Sequence, residues 1–155
     1  RLLAIDPGLR ACGIAVFEDG CLITAKLVKS NKKNPMPEAL TDTINALVKD
    51  VGKKFDVVVV EQPMIYPGRR GKARASDILN LTAVVGAIVA EYRKCKVVTF
   101  KPYEWKKQVP KHVVEYRVRK KLSEGELKKI KLAGALSHNI WDAIGLGMHY
   151  INNST

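Results

Sequence analysis

Cysteine is scarce and scattered in this 155-residue chain. Cys12, Cys21 and Cys95 are odd in number and lack the close pairs that a zinc site needs, so they read as buried, reduced thiols. Long apolar runs are also missing: no stretch reaches the roughly 18 residues of a helical membrane span, so no membrane partner is expected. The N-terminus runs straight into an apolar strand, without the basic segment, apolar core and cleavage site of a secretory leader. Such a chain looks cytosolic. No internal repeat occurs, which excludes solenoids and propellers. By length it is a single domain over 1–155, able to bury about two-thirds of its unfolded surface.

Acidic residues are few, 15 against 27 Lys and Arg, and their distribution carries more than the net charge of +12. Residues 1–62 hold 9 basic and 8 acidic side chains, whereas 63–155 hold 18 and 7. The second half is therefore the polyanion-facing part. Its clusters at Arg69, Arg70, Lys72 and Arg74, at Lys106 and Lys107, at Arg117, Arg119, Lys120 and Lys121, and at Lys128, Lys129 and Lys131 suit phosphate neutralisation. Any one pair of lysines serves equally well as a solvated face; four clusters in one half favour nucleic acid.

Patterning predicts α/β architecture. Apolar strands over 1–6 and 12–18 flank a Pro-Gly turn, and Asp19-Gly20 marks a tight hairpin into a third strand over 21–29. The chain thus opens as a three-stranded antiparallel meander. Helical spacing from Ala39 to Val51 predicts a crossover to a fourth strand, Phe55 to Val60, lying parallel to a neighbour. After a Pro-, Gly- and Arg-rich loop, a long apolar helix capped by Ser76 runs to Arg93, and a fifth strand covers 96–100. A short helix follows Pro102, another spans Val113 to Leu122, and Ser123 with Glu126 forms a capping box for a basic helix reaching about Leu132. The last helix begins near Ser137. The expected fold is a five-stranded mixed sheet, its first three strands antiparallel, flanked by helices.

Three acidic residues stand where packing alone would not put them. Leu2-Leu3-Ala4-Ile5 drives into Asp6-Pro7-Gly8, Val57-Val58-Val59-Val60 drives into Glu61, and Asp142 interrupts an apolar helical pattern. A charge at the end of a buried strand costs desolvation energy unless it is paired or metal-bound. Two strand-end carboxylates and one helical one suit a hard divalent cation such as Mg²⁺, which takes oxygen ligands and keeps water and phosphate oxygens. The competing readings are a turn Asp bonded to backbone and a Glu paired with Arg69. On the last helix, His138, Asp142, Gly145 and His149 share one face, with Asn139 at its border. Gly145 costs about 1 kcal/mol relative to Ala in a helix interior, an expense that fits a close approach at that point. His138 is either a helix-start histidine or a participant in ligation or proton transfer.

With these residues placed, the chain resembles the RuvC family of Holliday-junction resolvases, within the RNase H-like superfamily. The resemblance lies in Leu3-Ala4-Ile5-Asp6-Pro7-Gly8 with Gly13-Ile14-Ala15-Val16, in Val60-Glu61-Gln62, and in Asp142-Ala143-Ile144-Gly145-Leu146-Gly147. Residues 101–135 are similar only in being basic and helical. The resemblance implies an RNase H-like fold and a symmetric homodimer that cleaves four-way DNA junctions using two Mg²⁺ per active site, with Mn²⁺ as a substitute. Asp6, Glu61 and Asp142 match three of the family's four acidic positions. At the fourth the family has Asp or His three residues before the last Asp; here that residue is Asn139, with His138 one earlier, and both stand as candidates. The family also inserts an apolar or aromatic side chain at the junction from the loop after the Glu, a place held by Met64, Ile65 and Tyr66.

Rival readings share parts of this pattern. A YqgF-type nuclease trimming ribosomal RNA precursors, or another enzyme acting on RNA or hybrids, would carry the same acidic set. A junction-binding protein without catalysis would account for the missing fourth acid. Nucleotide-binding domains of the actin and sugar-kinase type also open with a strand and an Asp-x-Gly turn, but the chain is too short for the two such domains that clamp a nucleotide.

Overall fold

Alternation along the strands decides how this molecule is layered. In the computed structural model, which describes residues 1–30, 33–64, 75–107 and 109–154, five strands form one sheet in the order β3-β2-β1-β4-β5. They are β1 (Leu2–Asp6), β2 (Ala11–Glu18), β3 (Cys21–Lys29), β4 (Val57–Glu61) and β5 (Lys96–Phe100). The first three pair antiparallel, while β4 runs parallel to both β1 and β5. Asp19 (φ 48°) and Gly20 (φ 81°) both adopt the left-handed conformation, as a two-residue turn joining β2 and β3 requires.

Side chains with period two divide the sheet's faces. Leu3, Ile5, Val58 and Val60 pack with Leu47 of α1 (Glu38–Val51) and with Val84, Val85 and Ile88 of α2 (Ala75–Glu91). Leu2, Ala4 and Val59 point the other way, onto Val114 and Val118 of α4 (Lys111–Arg119) and Ile140, Ala143 and Ile144 of α6 (Ser137–Asn153). The short α3 (Pro102–Trp105) and α5 (Glu124–Leu127) complete the helices, with a 3₁₀ turn at Gly134–Leu136. No described helix is long and apolar enough to cross a membrane.

Close approach fixes α6 on the sheet. A Cβ built on Gly13 of β2 would lie 2.0 Å from the Asn139 carbonyl oxygen, so only glycine lets the start of this helix rest on the strand backbone. Contact with both sheet and α4 buries α6 nearly all round at its centre, Trp141, Asp142 and Leu146 included.

Of the thiols expected to be buried only Cys12 is, since Cys21 lies exposed at the start of β3 and Cys95 is half-buried. Several element ends differ from the sequence expectation: β4 covers Val57–Glu61 in place of Phe55 to Val60, α2 ends at Glu91, and α4 covers Lys111–Arg119. α2 starts at Ala75, so Ser76 lies within its first turn and does not cap it. α5 ends at Leu127, not near Leu132. The Ser123–Glu126 capping box forms as expected, but the chain then leaves the helix to lie along β3: Lys131 N donates to Ala25 O (2.8 Å) and Ala25 N to Lys129 O (3.4 Å). Glu126 ties the same edge, accepting from Leu22 N at 2.8 Å, and the Lys129 ammonium donates to Leu22 O at 3.0 Å. Backbone groups exposed on a strand edge outcompeted another turn of basic helix.

Candidate active site

Parallel pairing sets the site. β1 and β4 run in register from Leu2 beside Val57 to Ile5 beside Val60, so their last residues, Asp6 and Glu61, finish side by side at one edge. Both continue the face that carries Ala4 and Val59, the face covered by α6. Asp142, buried on α6, supplies the third carboxylate there.

β5 brings what the sequence did not disclose. It ends level with β4, Phe100 beside Glu61, and Pro102 then starts α3 at that edge, with Glu104 accepting from Lys101 N at 2.6 Å. One turn later Trp105 Nε1 donates to Glu61 Oε2 at 2.8 Å. The Lys106 ammonium reaches Glu61 Oε2 at 2.9 Å and Asp142 Oδ2 at 2.8 Å. These side chains are largely enclosed, at 18% exposure for Lys106, 13% for Glu61 and 7% for Asp142. Trp105 also explains Gly145: a Cβ there would stand 2.8 Å from Trp105 Cζ3. The close approach expected at Gly145 is thus the indole that orients Glu61.

Charge in the cluster is unbalanced. Burial raises the Asp6 carboxyl well above the ordinary carboxylate range; Glu61 and then Asp142 push it further, and Lys106 and Lys111 only partly oppose them. Burial also raises Glu61, against the pull of Lys106 and the Trp105 hydrogen bond. For Lys106 burial disfavours the charge, but Glu61 and Asp142 outweigh it and the ammonium is held above its usual value. Lys106 is thus bonded to two of the three carboxylates, and Asp6 meets Lys106 and Lys111 only through space. Among the described residues no three His, Cys, Asp or Glu side chains close on a single point to hold an ion as they stand, and the Lys106 ammonium takes the place between two of them. In donor chemistry the set fits a hard divalent cation: all three are oxygen ligands and negative charge is in surplus.

The remaining expected residues are placed unevenly. His138 turns back on its own helix start, Nδ1 lying 3.1 Å from Ala135 O, and Asn139 is partly buried with its carbonyl against Gly13. His149 stacks edge-on to Phe100 at 5.0 Å, away from the ion pairs, and burial lowers its pKa. Lys106, expected on a phosphate-binding surface, instead sits among the carboxylates, because α3 begins at their edge. Lys107, exposed at φ 56°, follows it. On α4 Arg119 pairs with Glu115 (2.9 Å) and lies over Trp141 (4.5 Å), and the Lys120 ammonium lies over Tyr116 (4.6 Å). Arg117 and Lys121 are exposed, with no side-chain partner among the described residues. Met64 is half-buried, while Ile65, Tyr66, Arg69, Arg70, Lys72 and Arg74 lie outside the described residues.

Comparison with known proteins bears on the fold. No family model matches the chain, and no curated protein matches it in sequence. Solved structures do. RuvC of T. thermophilus in complex with a Holliday junction substrate superposes with a TM-score of 0.71 at 22% identity, over 99% of this chain and 93% of that one. The Fowlpox virus resolvase, solved with its substrate Holliday junction DNA, gives 0.62 at 16% identity over 99% of each chain. The yeast mitochondrial Holliday junction resolvase Ydc2 gives 0.56 at 15% over 97% and 78%. This chain has the fold of these resolvases.

Proposed function

We propose that the protein is a metal-dependent endonuclease that cuts four-way DNA junctions by paired, symmetric nicks. One observation carries this reading: Asp6, Glu61 and Asp142 converge at the C-terminal edge of the parallel β1–β4 pair, in a fold shared with structures of junction resolvases. Two Mg²⁺ or Mn²⁺ ions bound there would supply an activated water and stabilise the leaving 3′ oxygen. Asp6, which feels the charge of both other carboxylates, would be the shared ligand; Glu61 and Asp142 would each serve one ion, with Asn139 through its amide oxygen or His138 assisting. Trp105 holds Glu61 in its orientation. Lys106 must withdraw from Glu61 and Asp142 for them to ligate, and its long stem allows the ammonium to turn toward the phosphate being cut. The basic helices after Glu61 hold phosphate backbones by shape more than by base identity.

A second copy of the chain fits α2. This helix leaves Leu79 70% exposed and Val89 38% exposed on an otherwise apolar element, a face suited to self-association. A homodimer would place two sites on one junction, and sedimentation velocity should show a dimer that Leu79→Asp dissociates.

The deciding experiment incubates the protein with labelled four-way DNA, RNA–DNA hybrid and structured RNA, with and without Mg²⁺. Cleavage of the junction alone, dependent on Mg²⁺ and abolished by Asp6→Asn with binding retained, supports the reading; preferential cleavage of RNA or hybrid overturns it. Lys106 between two carboxylates and Asn139 at the fourth position favour one other reading, a junction-binding protein without catalysis. Tight junction binding with no cleavage in either Mg²⁺ or Mn²⁺ would establish that one instead.

A further inference from the structure

Beside the carboxylates, on the far side of Trp105, α4 and α6 part to leave a cleft of about 310 Å³. That volume is at the lower end of small-molecule sites. Trp105, Val118 and Met148 supply apolar wall, His149 lines it, and Arg117 and Lys121 border it; among the described residues no acidic side chain contributes to the lining. Arg117 on α4 and Lys121, in the turn just past its end, both border the cleft. Their neighbours are already engaged, Arg119 with Glu115 and Trp141 and Lys120 with Tyr116. Two cations without a carboxylate partner among the described residues therefore flank an aromatic, apolar hollow. Such a combination matches neither a free inorganic anion, which has no use for the apolar wall, nor an apolar ligand, which has no use for the cations. It matches a nucleotide, which joins a stackable base to a phosphate.

Position narrows the choice. Trp105 lines the cleft while its Nε1 is bonded to Glu61, so the hollow opens one side chain away from the carboxylates. Lys106, which pairs with Glu61 and Asp142, borders both. We propose that this cleft is a nucleotide subsite, receiving the nucleotide next to the scissile phosphate with its base against Trp105 and Met148 and its outer phosphate on Arg117 and Lys121. The assignment rests on the nuclease reading above and deepens it: the identity of the base that fits the cleft then sets which phosphate is presented for cutting.

The test follows the Trp105 indole N–H resonance of the full chain during titration with thymidine 3′,5′-bisphosphate. The expected result is a saturable shift at Trp105 and none at Trp141, which is buried beneath Arg119. In Arg117→Ala/Lys121→Ala, whose replaced side chains are exposed and free of partners in the fold, affinity should fall at least about tenfold through loss of the phosphate contacts. No shift at Trp105 at millimolar ligand, or equal affinity in the double variant, overturns the subsite. The two proposals fail separately. Junction cleavage by a protein whose Trp105 ignores the nucleotide removes the subsite alone; a responsive Trp105 in a protein that cuts no junction removes the junction reading and leaves the cleft a nucleotide site.

Discussion

Strands β1, β2 and β4 and the segment from Lys101 to Leu136 serve the same site in opposite ways. The strands are apolar and hold Asp6 and Glu61 through backbone register, so neither carboxylate can move without unpairing the sheet. The later segment is basic, built of short helices, and reaches the site only with the ends of side chains: the Trp105 indole, the Lys106 ammonium and the rim cations Arg117 and Lys121. Negative charge is therefore rigidly placed and positive charge is placed on long, adjustable stems. The difference suits a site in which carboxylates must stay fixed while the cation between them gives way.

Lys106→Met should break this division with the largest effect. Without an ion, Glu61 and Asp142 are left enclosed with no counter-charge, and the protein should lose about 3 kcal/mol in denaturant unfolding. Saturating Mg²⁺ should restore most of that loss, and calorimetry should register tighter Mg²⁺ binding than in the wild type, because no ammonium has to be displaced. Weaker binding in the variant would instead make Lys106 an ally of the ion. Gly13→Val attacks the rigid side: its side chain meets the Asn139 carbonyl, α6 must shift, and stability should fall by about 2 kcal/mol, the range of an overpacked core, with junction cleavage falling too.

Asp6→Asn sharpens the contrast through pH. Because burial, Glu61 and Asp142 raise the Asp6 carboxyl above its unfolded value of about 3.9, the folded protein holds that proton more tightly than the unfolded chain does. Its contribution to stability is full below that unfolded value and is lost as pH rises through the elevated folded value. In EDTA at pH 8 the variant should therefore melt higher than the wild type by about 3 °C, and the gap should close as pH drops toward the unfolded value. An unchanged gap across that range would show that Asp6 carries no such penalty. The smallest effect is expected at Glu126→Ala, which removes the carboxylate half of the α5 capping box and the bond to Leu22 N; unfolding should cost about 1 kcal/mol less than in the wild type, with junction cleavage unaltered.

The same contrast governs what could be read from the sequence. Apolar runs ending in Asp6 and Glu61 were legible because period-two burial and strand ends are local properties, and the hairpin turn at Asp19-Gly20 and the Ser123–Glu126 box are local too. Trp105 was not legible as a site residue, and Lys106 was legible as a phosphate contact but not as the partner of Glu61 and Asp142. Their role depends on β5 ending level with β4, a fact of strand order that no local pattern contains. Gly145 announced a close approach without naming the indole that makes it. The premature end of α5 has the same origin, since helical spacing to Leu132 was overridden by the unpaired edge of β3, a partner about 105 residues away in the chain. His138 shared a helical face with Asp142, yet its ring is bonded to the turn before it, because first-turn side chains can satisfy themselves locally.

The short stretch from Lys129 to Lys131 has one more consequence. By occupying Ala25 on β3 it denies that margin of the sheet to any strand from another molecule. Three lysines, Lys128, Lys129 and Lys131, stud this cover and repel like copies. A chain whose C-terminal third had not yet docked would offer the bare margin as a template, so aggregation during refolding should be governed by how quickly this cover closes and not by the stability of the finished protein.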